Sequence, residues 1–203
     1  MNNFCTICVS YVNICAGGFI MAYFKFSIRQ LVAAAIGASI FFLLARFLSF
    51  PVFGDIFFNL QYAVVAFFAV IFGPVCGILV GMTGHFFANL SLGDGILWSS
   101  VIATAAVGLL TGFLFRPGSV DEGKFDGMDV AKFIIGSLIV GIISWGIVKP
   151  VGDILFYSRP VSEVFAQGLI MGGSNFVIKV MFGPLLVYIY SKTREKHIDP
   201  ELY

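Results

Sequence analysis

Six apolar blocks, at 28–50, 57–72, 74–91, 96–115, 130–148 and 164–190, divide this chain, and its charged residues fall almost entirely between them. A helix rising about 1.5 Å per residue crosses a hydrocarbon core of about 30 Å in about 20 residues, so each block is long enough to be read as a transmembrane helix. The pattern predicts an all-α bundle of six spans. Composition strengthens the reading: 59% of the 203 residues are hydrophobic and 11% charged, with a mean hydropathy of +0.99. A water-soluble domain of this size needs more charge on its surface.

The longest hydrophilic stretch, 116–129, is too short to bury a core, so the organisation is one membrane domain over 25–192 and a cytoplasmic tail over 193–203. Residues 1–24 read as an N-terminal extension, with Met21 opening the working protein; the segment is apolar but no Lys or Arg precedes it, unlike a signal peptide. Cysteines stand at 5, 8, 15 and 76, and the Cys5/Cys8 pair has no second pair or nearby histidine to complete a metal site. No cofactor or metal is expected. A net charge of +1 gives no case for nucleic acid, and no GxxxxGK[ST] loop is present. Energy for any uphill transport would come from another chain or an ion gradient.

Loop charge sets the orientation. Lys25, Arg29, Arg116, Lys124, Lys132, Lys192, Arg194 and Lys196 share one side, whereas Arg46, Lys149 and Arg159 share the other. The positive-inside rule then puts both termini in the cytoplasm, with outer loops at 51–56, 92–95 and 149–163. The connection at Gly73-Pro74 is so short that spans two and three must form an antiparallel hairpin.

Lipid tails do not drive helices together, so close packing relies on small residues. Gly73, Gly77 and Gly81 form one stripe on span three, and Thr104, Gly108 and Gly112 another on span four; both read as helix–helix contacts. Span one carries a denser group around Ala34 and Ala38, one turn apart, which either packs internally or docks another membrane protein.

Polar residues within spans carry the candidate chemistry. An ionised side chain at the bilayer centre costs roughly 2.5–3.5 kcal/mol on insertion scales, and Lys179 sits mid-span. It shares a helix face with Gly168, Gly172, Asn175 and Gly183, while the glycine stripe of span three continues to His85 and Asn89. These groups make either a closed hydrogen-bond network or, with Gln167 near the outer entrance, a ligand pocket. Arg46, Asn59, Gln61, Tyr62, Asp94, Trp98, Asp153, Tyr157 and Arg159 concentrate at the outer side, where aromatic faces and hydrogen-bonding groups suit a flat ring with polar edges. The candidate binding set is His85, Asn89, Asn175, Lys179, Gln167, Asn59, Tyr62, Trp98 and Arg159.

Three segments carry a resemblance to a known family: FSIRQLVAAAIGA; NLQYAVVAFFAVIFGPVCGILVGMTGH with the following Trp98-Ser99-Ser100; and VFAQGLIMGGSNFVIKVMFGPLLVYIYSK. The chain resembles the substrate-binding S components of energy-coupling factor (ECF) transporters over about 26–192, most nearly the riboflavin type. The resemblance implies a multi-pass protein of a prokaryotic plasma membrane that binds a vitamin in its outer half. Its implied partners are a transmembrane coupling subunit and two ATPase subunits, and the bound component is thought to topple to release its cargo. A small-residue AxxxA pattern on the first helix makes the family's contact with the coupling subunit, and Ala34 and Ala38 match it. Riboflavin is the family's label, with cobalamin close behind; the nearly uncharged pocket argues against a phosphate ester.

Two other classes compete. A stand-alone secondary transporter could use His85 and Lys179 as proton-handling groups, though six short spans without an evident inverted repeat are few for one. An enzyme is disfavoured: there is no HExxH, no GxSxG, and each Asp and Glu reads as a loop or terminal residue.

Overall fold

The computed structural model describes residues 27–53, 56–93, 95–115, 120, 123 and 125–198. The N-terminal extension with Cys5, Cys8, Cys15 and Met21, the charges at Lys25, Asp94, Arg116 and Lys124, and the last residues of the tail lie outside them.

Helix α1 (Ile28–Phe47) starts on a capping box, in which the Ser27 hydroxyl accepts from the Gln30 N–H and the Gln30 side chain accepts from the Ser27 N–H. Strands β1 (Ser49–Phe53) and β2 (Ile56–Asn59) follow as an antiparallel hairpin pairing Ser49 with Asn59 and Phe50 with Phe58. Then come α2 (Gln61–Phe72), α3 (Pro74–Leu92) and α4 (Trp98–Leu114). Helix α5 (Gly127–Gly141), capped by Asp126 and Asp129, runs on through a π-helical segment, Ile142–Val148, into α6 (Lys149–Tyr157). Helix α7 (Val161–Ile198) has Pro184 in its interior.

The protein is a helical membrane bundle. Four helical stretches are long and apolar enough to cross a membrane, Ile28–Phe47, Pro74–Leu92, Gly127–Tyr157 and Val161–Arg194, while Gln61–Phe72 and Trp98–Leu114 are shorter apolar helices. Large apolar side chains such as Leu31, Ile36, Ile139, Leu169 and Leu185 point outwards. Small and polar ones turn inwards, the distribution expected where the solvent is lipid.

Two expectations change. The second apolar block does not begin a helix at 57: its first residues form β2, so α2 has only 12 residues, ten of them buried. Residues 149–163 are not a loop throughout: the helix continues to Tyr157 and resumes at Val161. Helix α7 carries on through 193–198, so the first residues of the tail are helical.

The glycine stripes hold the centre together. Gly73, at φ 89°, ends α2 and begins α3, with Pro74 at the first helical position, and so makes the tight antiparallel turn that the sequence demands. The stripes of α3 and α4 then face each other. A Cβ on Gly77 would stand 2.6 Å from the Gly108 carbonyl oxygen, and one on Gly81 would stand 2.7 Å from that of Thr104. Gly108→Leu has no room to relax, because what it meets is backbone. Overpacking commonly costs about 1–3 kcal/mol, so this variant is expected to lose most of its folded yield and melt well below wild type in detergent. An unchanged melting temperature would contradict the close approach.

Candidate functional site

A cavity of about 370 Å³ opens at the end of the bundle where α1 finishes and the β-hairpin sits. Its wall is aromatic: Phe41 from α1, Tyr62 from α2 and Trp145 from the π-helical segment. Tyr62 meets Trp145 edge to face, with ring centroids 5.1 Å apart and planes at 79°, and meets Phe41 similarly at 5.9 Å and 83°. The His85 ring lies 5.8 Å from that of Phe41. Such an enclosure offers a flat ligand both faces and edges to pack against.

Polar groups punctuate this wall. His85 Nδ1 and Thr104 Oγ1 are 2.7 Å apart, and the Thr104 hydroxyl donates to the Ser100 carbonyl at 2.8 Å. A hydroxyl has one proton, so Nδ1 of His85 must donate, and in the neutral ring Nε2 then carries the lone pair. At the mouth, the Asn59 carboxamide oxygen accepts from Gln61 Nε2 at 3.2 Å, and the Ser49 hydroxyl, which donates to the Ala45 carbonyl at 2.9 Å, lies 3.3 Å from it. The hairpin register makes this cluster, since Ser49 and Asn59 are directly paired. Among the described lining residues Arg46, at the mouth, is the one cation, and there is no carboxylate. Three lining groups are buried with a polar atom lacking any protein partner: Gln61 Oε1 (5% exposed), Asn89 Nδ2 (8%) and Trp145 Nε1 (2%).

Of the nine residues picked out by sequence, His85, Asn89, Asn59 and Tyr62 line this cavity together. The other five lie elsewhere. Lys179 is fully buried between α7 and α5, where Nζ donates to the Ser137 carbonyl at 3.3 Å. Asn175, one turn away, is buried with Oδ1 unpartnered. Gln167 accepts from the Arg159 guanidinium at 3.5 Å on an exposed surface near the start of α7. Trp98 is half exposed; its backbone N–H donates to the Tyr157 hydroxyl at 2.8 Å, which in turn donates to the Ile96 carbonyl.

Sequence reasoning missed Phe41, Ser100, Trp145 and Met171 as lining residues and noted Arg46 and Gln61 only as outer-end polar groups. Trp145 offered no signal: three residues from the outer end of its apolar block, it reads as one of the indoles that gather at membrane interfaces. Asp153 was read as a loop carboxylate and Lys149 as a loop cation. Both are buried in α6, where Lys149 Nζ meets Asp153 Oδ2 at 2.6 Å and the Ser99 hydroxyl donates to Asp153 Oδ1.

The proposed docking pair is also placed differently. Ala34 and Ala38 are 4% and 7% exposed, turned into the bundle, and Ala34 belongs to the core cluster that contains Phe68 and Val80. The small residues left on the open face of α1 are Ala35 and Ser39. The Ser39 hydroxyl is spent on the Ala35 carbonyl at 2.9 Å, so this patch is nearly apolar.

Residues 25–192 match the family described as ECF-type riboflavin transporter, S component. Among curated relatives, a UPF0397 protein of Streptococcus pneumoniae (strain Taiwan19F-14) is 36% identical over 173 residues, which cover 85% of this chain and 94% of the relative. A UPF0397 protein of Lactococcus lactis subsp. cremoris (strain NZ9000) is 34% identical over 171 residues, covering 84% and 94%. A third, from Streptococcus thermophilus (strain CNRZ 1066), is 36% identical over 168 residues, covering 83% and 93%. Over nearly the whole of its helical bundle, this chain therefore belongs to the family of ECF-type riboflavin transporter S components.

Proposed function

We propose that this chain captures a vitamin from outside the cell in the cavity between α1, α2, α3 and the π-helical segment, and passes it to an ATP-driven coupling module. The observation that carries the reading is that cavity. It has aromatic walls, one cation at its mouth, no lining carboxylate among the described residues, and a volume of about 370 Å³. Clefts for small ligands run from roughly 300 to 1,000 Å³, so a tricyclic ring such as that of riboflavin fits and a corrin macrocycle would project well outside. Riboflavin therefore ranks ahead of cobalamin.

In this reading the helical rods cross the plasma membrane six times and both termini lie in the cytoplasm. The shorter α2 and α4 complete the set from within the bundle. Arg29, Lys132, Lys192 and Arg194 then share the cytoplasmic side. With Lys149 neutralised inside α6, Arg46 and Arg159 remain on the outer side with the cavity mouth. The partners are a transmembrane coupling subunit and two ATPase subunits, met through Ala35 and Ser39 on the open face of α1. Lys179 lies outside the cavity that holds His85, which weighs against a stand-alone carrier passing protons between them.

Calorimetric titration of the purified protein against riboflavin, cobalamin and other vitamins tests the proposal directly, and a yellow preparation would already mark a flavin. Absence of binding across the panel would overturn it. Within the cavity, His85→Ala and Asn89→Ala are each expected to weaken binding by about 1–3 kcal/mol, the range for losing a buried polar partner. Lys179→Met, outside the cavity, should leave affinity within about twofold of wild type, a difference of about 0.4 kcal/mol. A reversed order would move the site to α7.

A further inference from the structure

Helices α1 and α3 both run towards the mouth of the cavity, so the earliest residue each gives to its lining, Phe41 and His85, is its innermost. Two close approaches fix His85 there. A Cβ at Gly84 would stand 2.7 Å from that of Phe41, and one at Gly81, four residues before His85, would stand 2.7 Å from the Thr104 carbonyl oxygen. The imidazole rests beside the rings of Phe41 and Tyr62, with centroids 5.8 and 6.5 Å away.

Its two ring nitrogens have different surroundings. Nδ1 meets the Thr104 hydroxyl, a fully buried group whose own proton goes to the Ser100 carbonyl, so the Nδ1 proton is committed. Nε2, across the ring, has no protein partner among the described residues and is not one of the closed-off polar atoms. His85 is partly exposed, and the surface it keeps open belongs to the cavity wall. A neutral imidazole protonated on Nδ1 offers only a lone pair at Nε2, which can accept a hydrogen bond and cannot donate one.

We infer that His85 is a specificity-determining residue of this cavity: its Nε2 lone pair, at the innermost end, selects flat heteroaromatic ligands that carry an N–H on the edge entering first. A leading edge with only carbonyl oxygens or unprotonated nitrogens sets lone pair against lone pair. An apolar edge covers Nε2 without giving it a donor, and is disfavoured for that reason. Thr104 is the positioning residue that holds the ring in this tautomer. The inference rests on the cavity being the vitamin site. Riboflavin meets the demand through the imide N–H of its ring, with its polyhydroxy chain left towards Arg46 at the mouth.

The test uses the full chain in detergent at neutral pH, with riboflavin and its imide N-methyl derivative as paired probes. In calorimetry the wild-type chain should bind riboflavin at least about tenfold more tightly than the derivative. His85→Phe keeps a ring of similar bulk and removes the acceptor, so the preference should fall to about twofold or less, whereas a merely steric preference would persist. The chain has two histidines, and His197→Gln leaves His85 as the sole imidazole for nitrogen-15 NMR. Nδ1 should then read as protonated and Nε2 as bare, and the Nε2 resonance should move towards the protonated range when riboflavin is added. A proton on Nε2 in the ligand-free protein, equal affinity of the wild-type chain for the two probes, or an undiminished preference in folded His85→Phe overturns the inference while leaving the vitamin site standing. Failure of the wild-type chain to bind riboflavin removes the riboflavin reading, and this inference with it.

Discussion

Ala35→Trp should stop vitamin uptake by whole cells while leaving the affinity of the purified protein where it was. The reasoning turns on one residue of helical phase. Positions 34 and 38 face the bundle, and positions 35 and 39, rotated by about 100° on a 3.6-residue period, face lipid. Around Ala35 and Ser39 the open face carries Leu31, Val32, Ile36 and Ile40, all exposed. A shallow notch of small side chains between larger ones lets a second helix approach closely. An indole planted at 35 fills that notch and holds the coupling subunit away, yet touches nothing that lines the cavity. Ser39→Trp should behave the same way. Ala34→Trp and Ala38→Trp should instead fail at folding, since the indole would enter a packed core. Co-purification of the coupling subunit, scored beside calorimetry, separates the cases. If Ala35→Trp still captures the coupling subunit, another face does the docking.

That correction shows where the sequence was readable and where it was not. The Gly73-Pro74 turn and the two glycine stripes were legible because backbone geometry leaves them little alternative: a positive φ and two helices in backbone contact both call for glycine. The site was half legible. His85 and Asn89 follow the glycine stripe of α3 up to the cavity, and Asn59 and Tyr62 flank the start of α2. On α1, however, small residues occur at 33, 34, 35, 37, 38 and 39, so both faces look alike and periodicity cannot say which one turns inwards. Nor can hydropathy distinguish an aromatic run that pairs as a strand from one that opens a helix, which is why the β-hairpin was read as part of a span and a loop. Lys179 and Asn175 do share a face of α7, but a shared face does not fix depth, and theirs meets α5 away from the cavity. The π-helical segment leaves no mark in sequence at all, and with it went Trp145.

Breaking the Lys149–Asp153 pair should be among the most destabilising changes in the molecule. Both side chains are buried, and Asp153 satisfies two partners at once, Lys149 Nζ and the Ser99 hydroxyl. Gly152 lies against Ser99, so the carboxylate comes close to the start of α4 without a spacer. Asp153→Asn keeps the shape but leaves an ammonium buried with no counter-charge, a loss of about 3–5 kcal/mol where one partner of such a pair is removed. Replacing both residues, as Lys149→Met with Asp153→Leu, removes the uncompensated charge and should recover most of that stability, because the pair's attraction is largely offset by its own desolvation. Thermal unfolding of the two variants in the same detergent decides the matter. Equal loss in both would show that the pair works through shape and not charge; no loss in Asp153→Asn would show that water reaches Lys149. The consequence extends to the ligand site. Lys149 directly follows the segment that presents Trp145, and the pair anchors that segment to α4 beside Ser100, another lining residue of the cavity. Asp153→Asn protein that remains folded should therefore bind its vitamin more weakly than wild type, although Asp153 does not line the cavity.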